Sequence, residues 1–112
     1  MAEAAHPVVL TLTFPDEPTA AKVVDQLVEQ RLVACAQLWP IRSVYRWKGA
    51  VQKDAEVIVQ AKTVAARLNA IEKLVQLHHP YEVPEMLATP LAWGHGPYLD
   101  WMVKESRDEP LE

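Results

Sequence analysis

A chain of 112 residues, half of them hydrophobic and 23% charged, suits one globular domain that buries roughly two-thirds of its unfolded surface. A formal net charge of -4 argues against a nucleic-acid partner, which needs clustered Lys and Arg, and no apolar run reaches the length of a membrane span. Cys35 is the only cysteine, so no internal disulfide can form, and Met1–His6 lacks the basic and apolar parts of a secretion signal; a cytoplasmic protein is the expectation.

Val8–Phe14 alternates Leu10, Leu12 and Phe14 against Thr11 and Thr13, the pattern of a half-buried strand. Pro15-Asp16-Glu17-Pro18 ends it, with Asp16 placed to cap a helix whose apolar face, Ala20, Val23, Val24, Leu27 and Val28, runs within Thr19–Leu32. Val33–Trp47 is rich in β-formers but carries Pro40, which marks an edge, a bulge or a bend. Lys48-Gly49-Ala50 reads as a turn, Val51–Thr63 as a returning strand, and Ala65–His78 as a second helix with Leu68, Ile71, Leu74, Val75 and Leu77 on its buried stripe. Met86–Leu91 is a short strand, Gly94-His95-Gly96-Pro97 a break, and Tyr98–Ser106 a last helix; the polar tail from Arg107 is expected to fray.

The order β-α-β-β-α-β with an added helix is the split βαβ arrangement of an α+β, ferredoxin-like fold, with both crossover helices on one face of an antiparallel sheet. The middle hairpin, Val33–Trp47 with Val51–Thr63, far exceeds the usual strand of about five or six residues. Part of it must overhang the sheet and leave unpaired edges, which a neighbouring subunit would satisfy. A closed oligomer follows, and four tryptophans in so short a chain fit subunit contacts.

The densest chemistry lies in His78-His79-Pro80-Tyr81-Glu82-Val83-Pro84-Glu85, where helix gives way to strand. Each proline biases its predecessor, His79 or Val83, toward extended backbone, and polar groups on stiff backbone can converge on a ligand at low ordering cost. The plainer reading is a helix C-terminus with histidines near the negative end of the dipole and a proline stop. Cys35, flanked by Val33, Ala34 and Ala36, reads as a small buried hydrophobe, Met86 as core, and His6 and His95 as loop histidines. No Gly-x-Ser-x-Gly and no phosphate-cradling loop is present, so a non-enzyme is expected.

Phe14-Pro15-Asp16, Leu32-Val33-Ala34-Cys35, Ser43-Val44-Tyr45-Arg46-Trp47-Lys48-Gly49, Glu56-Val57, Lys62-Thr63, His79-Pro80-Tyr81-Glu82-Val83-Pro84-Glu85 and Tyr98-Leu99-Asp100-Trp101 together resemble the CutA divalent-cation-tolerance family. The resemblance runs from about Val8 to Arg107, one domain over the whole of 1–112. It implies a cytoplasmic homotrimer joined by the long hairpin, and a role in tolerance to copper or other divalent cations. His78 and His79 match the family's copper-binding histidine pair, whereas the slot of its third ligand, a cysteine, holds Leu12. Two imidazoles would need water, Glu82 or a second subunit to complete a site. The family's fold also resembles the PII signalling proteins, which implies the alternative of a scaffold holding a small molecule or meeting a protein partner between subunits. Trp47, Lys62, Tyr81, Glu85 and Trp101 are the candidate residues of such an inter-subunit pocket. A Lys62–Glu85 pair beside aromatic walls could hold a small anionic or zwitterionic ligand, or could simply fix the register between subunits.

Overall fold

The structure, a computed structural model, describes residues 5–107; the tail beyond Arg107 and residues 1–4 of the opening segment lie outside the described residues. The elements in chain order are β1 (Pro7–Phe14), α1 (Glu17–Glu29), β2 (Cys35–Trp47), β3 (Ala50–Val64), a single 3₁₀ turn (Ala65–Arg67), α2 (Leu68–His78), β4 (Met86–Pro90) and α3 (Gly96–Glu105).

Helix α1 starts where Asp16 Oδ1 accepts the Thr19 backbone N–H at 2.9 Å, a bond that holds the Asp16 carboxyl below the ordinary carboxylate range. Its end lies three residues short of the Leu32 that periodicity indicates. Arg31 adopts a left-handed conformation (φ 61), and Arg31 N–H and Leu32 N–H return to the carbonyls of Val28 and Leu27. This is a Schellman motif, in which Leu32 keeps the apolar phase of the helix while standing outside it.

Alternation in the strands puts Leu10, Leu12 and Phe14 of β1 and Val57, Val59 and Ala61 of β3 on one sheet face. There they pack on Ala20, Val23 and Leu27 of α1 and on Ile71 and Val75 of α2. Helix α3 lies on the reverse face, where Tyr98 meets Cys35. The strands are antiparallel in the order β2-β3-β1-β4, the ferredoxin-like arrangement that the element order predicts. Pro40 sits on the outer strand β2, where a missing N–H costs no ladder bond, and the β2–β3 register runs through it without a bulge.

Strand β1 stops at the Phe14–Val57 pair, but β2 and β3 continue as a two-stranded ribbon over residues 41–47 and 50–56. At the strand rise the overhang reaches roughly 23 Å from the sheet. The radius of gyration, 14.8 Å, exceeds the roughly 13 Å of a compact chain of this length, and the long axis measures 49 Å. The ribbon closes through Lys48 (φ 50) and Gly49 (φ 81), the pair of positive φ angles that a type I′ turn needs to match strand twist. All four tryptophans are exposed in the single chain, from 38% at Trp101 to 83% at Trp93, and Leu87 and Val44 join them. No helix among the described residues is long and apolar enough to cross a membrane.

Candidate functional site

The ribbon leaves the sheet where β1 ends, and the segment after α2 closes that corner. Helix α2 finishes at His78; His79, preceding Pro80, is extended (φ -85, ψ 132), as the proline dictates. Strand β4 begins opposite Leu12, so on that edge the sheet supplies no partner beyond residue 12. The His79 ring takes the vacant position. Its Nε2 lies 2.6 Å from the Thr13 carbonyl, and its Nδ1 accepts the Tyr81 backbone N–H at 3.0 Å. Because Nδ1 is the acceptor, Nε2 carries the proton and donates to Thr13. The ring stacks on Phe14 (4.7 Å between centroids) and lies 4.8 Å from the Tyr81 ring, with 8% of the residue exposed.

Both nitrogens of His79 are thus committed to backbone groups, and the pair His78/His79 presents no two free imidazoles to one ion. His78 is half-buried in the last turn of α2, with no hydrogen bond from its ring among the described residues. Leu12 is wholly buried in the core beneath α1 and α2. No three His, Cys, Asp or Glu side chains converge on a possible ion site among the described residues. A tight copper centre therefore does not fit the side chains of one chain.

Tyr81 turns from His79 into the root of the ribbon and donates its hydroxyl to Glu56 Oε2 at 2.8 Å. Glu56 is the first ribbon residue of β3 past the end of β1, and it is only 7% exposed. Burial first, then the hydrogen bond to Glu56, raises the Tyr81 phenol well above its ordinary range. Farther along the ribbon, Tyr45 donates to Asp54 Oδ2 at 2.5 Å, and that bond pushes its pKa up to about 12. Ser43, Tyr45 and Trp47, with Thr13, Pro80, Val83, Glu82 and Glu85, complete a cleft of about 610 Å³ at this corner.

Three of the five residues expected in a pocket, Trp47, Tyr81 and Glu85, line this cleft within one chain. Lys62 and Trp101 do not. The Lys62 ammonium donates to Gln37 Oε1 and reaches Gln60 Oε1 at 3.5 Å on the reverse face of the sheet, and the Trp101 ring lies tilted against that of Tyr98 at 5.3 Å. Beside them Cys35 is half-buried rather than a core residue, with Sγ 3.5 Å from the Tyr98 hydroxyl and 3.7 Å from Gln37 Nε2. Sequence reasoning placed Glu56 and Tyr45 in the motifs of the family resemblance but gave neither a role in the site. The usable signal was an acidic residue opening the regular alternation Val57, Val59, Ala61, at the point where β1 can no longer cover the ribbon.

A four-stranded antiparallel sheet with a projecting ribbon, and a polar corner where that ribbon begins, defines an α+β protein of ferredoxin-like fold. Residues 8–105 match the family model described as CutA1 divalent ion tolerance protein, and the chain belongs to that family. It is 40% identical over 95 residues to the divalent-cation tolerance protein CutA of Thermus thermophilus, covering 84% of this chain and 92% of that one. It is 41% identical over 92 residues to the mouse protein CutA, covering 81% of this chain but 52% of the relative, so the chain spans about half the length of the mammalian proteins it matches. The crystal structure of CutA1 from Oryza sativa superposes with a TM-score of 0.89 at 32% identity, over 96% of this chain and all of the other.

Proposed function

We infer that this protein serves tolerance of divalent cations as a non-catalytic homotrimer in the cytoplasm. In this reading copper, or another divalent cation that accepts imidazole, is a transient ligand met through His78 and not a resident. Family membership supports the tolerance role. The commitment of both His79 nitrogens carries the finer reading, because it leaves His78 as the imidazole of the pair that is free to coordinate. One imidazole is a weak ligand, so water or a second chain must supply the remaining donors. The exposed tryptophans and the overhanging ribbon favour association, since an isolated two-stranded ribbon is marginally stable in water. The unpaired cysteine fits a reducing compartment.

Calorimetric titration with copper and with zinc tests the ion assignment. Wild-type protein is expected to bind copper, His78→Ala to lose that binding, and His79→Ala to keep it at temperatures where the variant is folded. Equal heats in wild type and His78→Ala would overturn the assignment of the ion to His78.

A further inference from the structure

We propose that each ribbon lays its basic face on the acidic corner of the next copy of this chain, so that the ring closes head to tail through opposite charges. This rests on the trimeric reading above and adds which two surfaces meet and what matches them. The two faces follow from the register. Residues opposite one another in an antiparallel pair share a face, and successive residues alternate between faces. Ser43 with Asp54, Tyr45 with Gln52 and Trp47 with Ala50 occupy one face; Arg42 with Ala55, Val44 with Lys53 and Arg46 with Val51 occupy the other.

The first face is acidic and aromatic, with Tyr45 bonded to Asp54, and it runs into the corner that Glu82 and Glu85 line. The second face carries Arg42, Arg46 and Lys53 and no carboxylate. Val44 and Val51 stand between these cations, 66% and 55% exposed. The side chains of Arg42, Arg46, Lys53, Glu82 and Glu85 have no ion pair and no hydrogen bond among the described residues. Unpaired charges of both signs therefore sit on one projecting element, with bare aliphatic surface on its basic side.

Opposite faces of one ribbon cannot meet, so a chain cannot satisfy these charges within itself. A two-fold contact sets each face against its own copy, where like charges repel. A head-to-tail contact matches them, and such a heterologous contact closes into a ring. The two valines among the cations give the docked face an apolar centre with a charged rim, which is the anatomy of a protein interface. The phosphates of a nucleic acid would leave those valines uncovered. Charge at such a rim sets register and partner choice more than raw affinity, so its loss should loosen the ring without unfolding the chain.

The test follows the full chain along a urea titration, with light scattering reading dissociation and circular dichroism reading unfolding. Arg42→Glu/Arg46→Glu is expected to dissociate at a midpoint about 1 M urea or more below the wild type. Glu82→Lys/Glu85→Lys is expected to do the same. All four changes in one chain should restore at least half of the loss, because opposite charges then face each other again. If a reversed chain does not fold, Arg42→Gln/Arg46→Gln replaces it. Raising salt from about 50 mM to about 500 mM should then lower the wild-type midpoint relative to that of the neutral variant. A wild-type monomer would overturn the trimeric reading and the docking with it. A trimer whose midpoint the reversals leave in place, losses that add in the chain carrying all four changes, or equal salt dependence in wild type and neutral variant would overturn the docking alone.

Discussion

Replacing His79 by Ala separates the two roles a histidine pair can have, and its cost can be worked from the contacts. The ring donates to the Thr13 carbonyl at 2.6 Å and accepts from the Tyr81 amide at 3.0 Å, so truncation removes two hydrogen bonds at about 1 kcal/mol each. Loss of the stacked contact with Phe14 at 4.7 Å adds about 1 kcal/mol. The sum is about 3 kcal/mol, falling toward about 2 if water enters to solvate the two orphaned backbone groups. His78→Ala removes a half-buried ring with no hydrogen bond and is expected to cost less than about 0.5 kcal/mol. Urea unfolding at equal chain concentration, needed because association stabilises the folded state, should place the His79→Ala midpoint about 1 M or more below that of His78→Ala. His79→Gln, which retains an N–H able to reach Thr13, should recover part of the loss. A His79→Ala variant that unfolds with the wild type, or that loses copper binding at undiminished stability, would refute the structural role given to this ring.

The remaining predictions probe other levels of the structure. Of the three tyrosines, Tyr45 and Tyr98 are raised to about 12 by hydrogen bonds to Asp54 and Cys35, and burial takes Tyr81 higher still. Native protein should therefore show little phenolate absorbance near pH 10, where unfolded tyrosine is half ionised. Raised folded pKa values mean that their contribution to stability is complete below pH 10 and is lost as pH climbs toward 12; half-ionised tyrosines at pH 10 in the folded protein would contradict the hydrogen bonds. Lys48→Asn places Asn-Gly at the ribbon tip, relieves a side chain held at positive φ, and should raise stability by about 0.5–1 kcal/mol in urea, whereas a loss would mean that the Lys48 side chain has a role of its own. Native mass spectrometry should give three times the 12.6 kDa of one chain. Replacing residues 45–52 by Asn-Gly, closing the ribbon on the Val44–Lys53 pair, should shed subunits; an unchanged mass would show that the overhang does not join them.

Elements were legible in the sequence wherever one periodicity acted alone. Leu10, Leu12 and Phe14 gave β1 and its buried face, and the sequential order of strands and helices gave the ferredoxin-like arrangement. Boundaries failed where tertiary geometry borrowed the local pattern. Leu32 continues the apolar phase of α1 because a Schellman motif returns it to the same core, and Arg31 in place of the usual glycine gave no stop signal. The start of α2 is a 3₁₀ turn that the same hydrophobic spacing cannot distinguish from α-helix. The site divided in the same way. The proline after His79 foretold its extended backbone, but no local pattern could show that the ring replaces an absent strand partner at Thr13, 66 residues away.

That replacement explains why the polar residues gather at this corner and not elsewhere along the ribbon. Strand β4 gives out at Leu12 and β1 at Phe14, so one carbonyl of β1, at Thr13, and one side chain of β3, at Glu56, lose their cover within a few residues of each other. Two residues separate the ring that mends the first gap from the phenol that caps the second: His79 serves Thr13, and Tyr81 serves Glu56. The Tyr81 amide on His79 Nδ1 locks the two repairs together, so disturbing the ring must also release the phenol. The segment His79–Glu85 is therefore a plug for a sheet that ends unevenly. The cleft is the part of that gap which the plug leaves open, and it takes its acidic lining from the carboxylates that flank it.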